Sequence, residues 1–119
     1  MAVKLQDLLE DTLKEEMQRR QSILDRQAFC PVPPNHIYVE PTNKCFLKCA
    51  MCTDKALRGV QGYMPMERWR VILDSLAKYH IKAPINLIGR GEPLMNRQLP
   101  DFVEYATSKG MTCAIISNG

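Results

Sequence analysis

The sequence predicts an α/β fold in which parallel strands alternate with crossover helices, preceded by an amphipathic N-terminal helix. Three short runs typical of strands occur at residues 37–39, 84–88 and 112–116. Two long segments with helical apolar periodicity separate these runs. Strands joined by such crossovers pair in parallel, so the three runs are expected to form one sheet.

The N-terminal helix is predicted over residues 5–24, where apolar residues recur at helical spacing and charged residues fill the other face. A proline-rich stretch follows from Cys30 to Pro34. Proline lacks a backbone N–H and fixes φ, so this stretch is expected to end the helix and act as a linker. The chain therefore divides into residues 1–36, the helix and linker, and residues 37–119, the α/β part.

The two crossover helices are predicted from their apolar stripes. Pro65 opens the first helix, whose buried stripe is formed by Trp69, Ile72, Leu73 and Leu76. The second helix runs from about Pro100 to Lys109 and turns three residues inward, Phe102, Val103 and Ala106. Gly110 is expected to cap its C-terminus.

The residues directly after each predicted strand are unusual. A cysteine-rich loop follows the first strand, the turn Gly89-Arg90-Gly91-Glu92-Pro93 follows the second, and Ser117-Asn118-Gly119 follows the third. In parallel α/β folds, active sites lie beyond the C-terminal ends of the strands. We therefore expect the three segments to converge on one rim and to form the functional site.

Composition narrows the classes of function. The chain has 119 residues, 45% of them hydrophobic and 24% charged, with a net charge of +3. Because acidic and basic residues are interspersed, neither a nucleic-acid footprint nor a membrane-binding surface is indicated. No apolar run approaches the roughly 20 residues that span a bilayer, and the first residues lack the apolar core of a signal peptide. We therefore expect a cytoplasmic protein.

Three of the five cysteines fall within eight residues, as Cys45, Cys49 and Cys52. In a cytoplasmic chain, clustered cysteines indicate metal or redox chemistry before they indicate disulfides. Several thiolates on a short loop suit an iron–sulfur cluster, whose irons each bind one cysteine. Three ligands leave one iron open to a cofactor or substrate, much as a catalytic zinc keeps an open position.

Other interpretations of these cysteines stay open at this point. Spacings of four and three also match one face of a helix, where free cysteine is often simply buried. A zinc-binding interaction module would need a fourth ligand, and the candidates show no tight spacing partner: His36, His80, Cys30 and Cys113. An electron-transfer or cluster-carrier protein would use the same three cysteines without needing the glycine-rich turn. Cys30 and Cys113 are expected to be structural.

The order of motifs resembles the radical SAM (S-adenosylmethionine) superfamily. The pattern CxxxCxxC after a first strand, Gly91-Glu92-Pro93-Leu94 after a second and Ser117-Asn118-Gly119 after a third carries the likeness over residues 37–119. The resemblance implies the first half of a partial (βα)6 barrel. Since members usually have six βα units, it also implies a truncated core. Met51 stands directly before the third cysteine, as a methionine does in many members that resemble the SPASM and twitch subgroups. Arg90 stands where the family's Gly-Gly-Glu turn usually has its first glycine.

The resemblance also implies a function. Cys45, Cys49 and Cys52 would hold a four-iron, four-sulfur cluster whose fourth iron is chelated by SAM. The segment Gly91-Glu92-Pro93 would contact the SAM amino group largely through its backbone, Met51 would flank the adenine, and Asn118 would lie near SAM. An electron from a reductant such as ferredoxin or flavodoxin would cleave SAM to a 5′-deoxyadenosyl radical. This oxidoreductase-type chemistry would modify an unknown peptide or small-molecule substrate.

Overall fold

A computed structural model of the chain describes residues 5–50, 52 and 59–119. The chain divides after Pro33 into two compact units. In the part of the chain that the structure describes, no helix is long and apolar enough to cross a membrane.

The first unit contains helix α1, Leu5–Leu24, with the bounds that the apolar periodicity predicts. Ion pairs one turn apart, such as Arg19 with Glu15 at 3.2 Å, line its charged side. The proline-rich stretch does not simply extend away from the helix. It returns to α1, because Arg19 donates a hydrogen bond to the carbonyl of Pro33 at 2.9 Å and buried Ser22 donates to the sulfur of Cys30 at 3.6 Å.

The second unit is built on a three-stranded parallel sheet in the order β1-β2-β3. The strands are β1, Ile37–Val39, β2, Ile85–Leu87, and β3, Cys113–Ile115. In the register of the sheet, Ile37 pairs with Ile85 and Ile85 pairs with Cys113. The predicted α/β fold with parallel strands is therefore confirmed, although β2 and β3 are shorter than the sequence indicates.

Two helices provide the crossovers: α2, Met66–Lys78, between β1 and β2, and α3, Leu99–Ser108, between β2 and β3. Pro65 caps the N-terminus of α2 instead of forming its first residue. Gly110 follows α3 with φ +71°, a left-handed conformation that glycine adopts without strain and that ends the helix as predicted.

The hydrophobic core lies between these helices and the sheet. Six of its side chains are fully buried: Trp69, Leu73, Ile85, Leu87, Phe102 and Ala106. The Trp69 ring stacks on Phe102 with centroids 5.0 Å apart, and the indole N–H donates to the Phe102 carbonyl at 2.9 Å. Three residues of the predicted stripes, Ile72, Leu76 and Val103, are only partly buried. Helix periodicity thus identifies the inward faces correctly but overstates their width.

A short 3₁₀ turn at Pro93–Met95 lies between β2 and α3 and was not predicted. Pro93 stands at its start, where a missing N–H removes no hydrogen bond. The carboxylate of Glu92 accepts from the backbone N–H of Leu94 at 2.9 Å and so caps the turn. This turn directs Glu92 toward the segments that follow the other strands.

Candidate functional site at the carboxyl ends of the strands

Glu92 joins the segments that follow all three strands. Its backbone N–H donates to the carbonyl of Lys44, after β1, at 2.8 Å. Its carboxylate accepts from the backbone N–H of Asn118, after β3, at 2.9 Å. Glu92 itself follows β2 and is only 3% exposed. The expected convergence of the three segments on one rim is therefore a feature of the structure, and a single buried residue holds it.

The environment of Glu92 favours its charged form. Burial by itself raises the pKa of this carboxyl, but backbone N–H groups of Asn118 and Leu94 and the hydroxyl of Ser117 lower it more. The net pKa lies below the ordinary value of a glutamate. A charged carboxylate accepts strong, directional hydrogen bonds from the donors around it, and these bonds link the segments that follow the strands.

Gly91 lies against the backbone that leads into the cysteine loop. A Cβ atom at this position would lie 2.1 Å from the Thr42 carbonyl oxygen and 2.8 Å from the Lys44 carbonyl oxygen. Both atoms belong to the main chain and cannot rotate away. Only glycine allows the turn after β2 to approach the loop this closely. The close approach therefore explains why residue 91 is glycine, although its φ is not positive.

Arg90, in the turn after β2, is held by Glu40. The carboxylate of Glu40 accepts a short hydrogen bond from the backbone N–H of Arg90. It also pairs with the Arg90 guanidinium at 3.8 Å. Glu40 follows β1 directly, so this pair ties the first strand end to the turn after the second. The arginine is thus compatible with the geometry of the turn.

Thr42 and Asn43 hold together the two ends of the cysteine loop. The hydroxyl of Thr42 donates to the Gly62 carbonyl at 2.7 Å. The amide of Asn43 donates to the Val60 carbonyl at 3.0 Å and accepts from the Gly62 N–H at 2.8 Å. These bonds join residues 42–43 to residues 60–62, so the two ends of the loop are fixed to each other on the rim.

Replacing Asn43 with alanine is expected to release this closure. Both side-chain hydrogen bonds are lost, and each contributes about 1 kcal/mol to a closed state. Together they contribute about 2 kcal/mol, so amide exchange at Gly62 should accelerate about thirtyfold, as measured by hydrogen–deuterium exchange. Asn43→Asp keeps the acceptor for the Gly62 N–H and should show a smaller acceleration. Equal protection of Gly62 in wild type and in Asn43→Ala would contradict this role.

The three clustered cysteines lie on the rim but in different settings. Cys45 is half-buried, whereas Cys49 and Cys52 are exposed, and all three are free thiols. The Cys52 N–H donates to the Cys49 carbonyl at 3.1 Å. The side-chain amide of Asn118 lies 3.8 Å from the Cys45 sulfur.

The three sulfur atoms do not surround a common point in this conformation. Across residues 5–50, 52 and 59–119, no group of three histidine, cysteine or acidic side chains lies close enough to hold a metal ion. Metal binding supplies free energy that brings ligands together, so such loops commonly gather their thiolates only with the metal. The ligand role of these cysteines stays a prediction.

The other predicted site residues are distributed along the same rim. Gly91 is partly exposed, and Pro93 is fully buried at the start of the 3₁₀ turn. Asn118 is exposed after β3 and contacts the Cys45 sulfur. Met51, predicted to flank the adenine of SAM, lies outside the described residues.

Comparison with known proteins places this geometry in context. No family model matches the chain. The Fe-coproporphyrin III synthase of Methanosarcina barkeri is 34% identical, over 66% of this chain and 19% of that protein. The tungsten-containing aldehyde ferredoxin oxidoreductase cofactor-modifying protein of Pyrococcus furiosus is 30% identical, over 71% and 24%. The PqqA peptide cyclase of Xanthomonas oryzae is 30% identical, over 73% and 23%.

A solved structure is also similar to this chain. BtrN in complex with AdoMet and 2-DOIA superposes with a TM-score of 0.65 and 26% identity, over 71% of this chain and 36% of that one. These relatives are enzymes of the radical SAM type. The chain belongs to the radical SAM superfamily. It spans about a fifth to a quarter of the length of the curated relatives it matches.

Several residues that organise this radical SAM rim were not identified from the sequence. Glu40, Thr42 and Asn96 make hydrogen bonds that join distant segments. Asn96, for example, is buried and donates to the carbonyls of Pro41 and Met64. The sequence did contain one signal for these residues. Polar residues directly after a buried strand or turn are candidates for joining distant segments.

The candidate zinc ligands occupy unrelated settings in this radical SAM chain. His80 follows the C-cap of α2 in a left-handed conformation with φ +55°. Nδ1 of His36 lies 3.5 Å from the side-chain amide nitrogen of Asn86. Cys113 lies in β3, where burial raises its thiol pKa. Each therefore has a local structural setting, which suits the structural role expected for Cys113.

Proposed function

We propose that the chain binds a four-iron, four-sulfur cluster through Cys45, Cys49 and Cys52 and binds SAM beside it. The observation that carries this proposal is the rim itself. Glu92 joins the cysteine loop, the Gly-Glu-Pro turn and the Ser-Asn-Gly turn by hydrogen bonds of 2.8 to 2.9 Å. These are the three segments on which the radical SAM resemblance depends.

The residues present fit such a cluster by their chemistry. Three free thiols stand on one accessible loop whose ends are fixed by Thr42 and Asn43. Thiolate is the usual protein ligand of iron–sulfur clusters. An amide nitrogen next to the Cys45 sulfur adds a hydrogen-bond donor of the kind that surrounds such sulfurs. Three ligands are one fewer than a closed cluster needs, which suits cofactor binding at the remaining iron.

The residues of the Gly-Glu-Pro turn have separate roles in this proposal. Gly91 brings the turn against the cysteine loop, and the inward carboxylate of Glu92 holds the turn in place. Because this carboxylate already accepts two backbone N–H groups, we assign the contact with the SAM amino group to backbone carbonyls of residues 91–93. In this proposal Asn118 lies near SAM, and Met51 flanks the adenine of SAM.

A cluster held by Cys45, Cys49 and Cys52 would supply one-electron reduction of SAM, and SAM would supply the radical chemistry that modifies a substrate. The chain's own residues bind and orient the cofactors on the rim. We propose a peptide or a small molecule as substrate, since the relatives include a PqqA peptide cyclase and a cofactor-modifying protein. A ferredoxin or flavodoxin is proposed as reductant and the cytoplasm as location.

Replacing Cys45, Cys49 and Cys52 together with alanine is expected to abolish cluster binding. After anaerobic reconstitution, wild-type protein should hold about four iron and four sulfide per chain and absorb broadly in the visible region. The triple variant should hold almost none. Replacing Cys30 and Cys113 with alanine serves as the matched control and should leave the iron content unchanged. Equal iron in the triple variant and the wild type would refute the ligand assignment.

SAM binding separates this function from a plain electron carrier or a zinc module. Calorimetric titration of SAM into reconstituted wild-type protein should release heat with saturation at one equivalent. The triple cysteine variant should show little binding, because the open iron position is lost with the cluster. A reconstituted protein that holds iron and ignores SAM would favour the carrier, and zinc without iron after purification would favour the zinc module.

A further inference from the structure

We propose that Asn118 donates an N–H···S hydrogen bond to the sulfur of Cys45 and thereby raises the reduction potential of the cluster that this cysteine holds. Glu92 is the positioning residue for this donor. The inference rests on the proposed function, since it concerns the same cluster. It assigns to Asn118, which follows β3, an effect on the reduction potential of that cluster.

The contact itself has the right chemistry. The Asn118 side-chain nitrogen lies 3.8 Å from the Cys45 sulfur, a distance that the large radius of sulfur permits. A thiolate only accepts hydrogen bonds, whereas an asparagine amide offers donors on its nitrogen and acceptors on its oxygen. The nitrogen must therefore face the sulfur once Cys45 is a ligand.

Both partners of this contact are attached to Glu92. The Asn118 backbone N–H donates to the Glu92 carboxylate at 2.9 Å. The Glu92 N–H donates to the carbonyl of Lys44, the neighbour of Cys45, at 2.8 Å. Glu92, Asn118, Cys45 and Lys44 thus form a closed ring of contacts around one buried residue. The ring fixes the amide against the sulfur without any bound ligand.

A donor at this position acts on the charge of the cluster. Reduction adds one negative charge that spreads onto the ligand sulfurs, and an N–H dipole aimed at a sulfur stabilises that charge more than it stabilises the oxidised form. The donor therefore favours reduction. Because Asn118 is exposed, water substitutes for part of its effect when it is removed.

The test compares Asn118→Ala with wild type by redox titration of reconstituted protein, followed by electron paramagnetic resonance without SAM. The equilibrium constant for reduction should fall up to tenfold, and tenfold corresponds to about 59 mV for a one-electron couple. Asn86→Ala removes the same side chain from the middle of β2 and should leave the potential unchanged. Glu92→Gln should lower the potential in the same direction as Asn118→Ala.

The outcomes separate this inference from the proposed function. A wild-type protein that holds no cluster refutes the proposed function. A loaded wild type whose potential equals that of loaded Asn118→Ala overturns the hydrogen bond alone. If Asn118→Ala does not take up iron, wild-type protein labelled with ¹⁵N-asparagine provides the second measurement. Pulsed electron paramagnetic resonance should then show a nitrogen coupling to the reduced cluster, and its absence overturns the inference.

Discussion

Gly91→Ala is expected to break the junction between the turn after β2 and the cysteine loop. The new methyl group would lie 2.1 Å from the Thr42 carbonyl oxygen and 2.6 Å from the Thr42 carbonyl carbon. Since both atoms are backbone, the turn must move away, and the hydrogen bond from Glu92 to Lys44 is lost with it. We expect a loss of about 3 kcal/mol in the free energy of unfolding, measured by urea denaturation.

Gly62→Ala is the matched control for this substitution. Gly62 also lies on the rim, but a Cβ atom there would meet nothing within 4 Å, and its φ is not positive. Its backbone hydrogen bonds with Thr42 and Asn43 are unaffected by a methyl group. The change in unfolding free energy should stay within about 0.5 kcal/mol. Similar values for the two variants would show that Gly91 is not needed for close approach.

Glu92→Ala is expected to release the segment after β3 from the turn after β2. The substitution leaves the N–H groups of Leu94 and Asn118 without their acceptor in a site that is 3% exposed. Hydrogen bonds to a charged group contribute about 1.5–3 kcal/mol each, so we expect a loss of about 3 kcal/mol or more in the free energy of unfolding. The reconstituted variant should also hold less iron, because Asn118, which contacts the Cys45 sulfur, loses its attachment to the turn.

Glu92→Gln tests the charge of this junction through its pH dependence. The pKa of Glu92 is lowered in the folded chain, so its charge contributes stability above the ordinary pKa of glutamate. That contribution is lost as the pH falls through the lowered folded pKa. The glutamine variant lacks it at every pH. The difference in unfolding free energy between wild type and Glu92→Gln should therefore be largest near neutrality and shrink in acid, and a constant difference would contradict the prediction.

The helices and the order of the strands could be predicted because their signals are local. The four-residue spacings of Trp69 with Leu73 in α2 and of Phe102 with Ala106 in α3 reflect the helical repeat, and all four side chains are fully buried. Gly110 ends α3 because glycine adopts a positive φ easily. The α/β fold class and the radical SAM family could also be predicted, because both follow from the order of motifs along the chain. Both predictions are confirmed.

The roles of individual rim residues could not be predicted in this way. Arg90 and Glu40 are 50 residues apart, and Asn118 and Glu92 are 26 apart. Nothing in the spacing of such residues shows which of them meet. The contact of Glu92 with the cofactor, largely through its backbone, stays a prediction, and its motif gave no sign that its carboxylate turns inward to the backbone of Leu94 and Asn118.

The sequence by itself determined the α/β fold class, the family and the order of three motifs, namely three cysteines, a glycine-rich turn and an asparagine turn, each after a strand. Only the tertiary structure decided how these segments are joined, through the buried Glu92 carboxylate, the close approach of Gly91 and the amide of Asn118 against Cys45. The physical reason is that periodicity and motif order act along the chain. Hydrogen bonds and close approaches depend on distances that exist only once the parallel strands have aligned their ends.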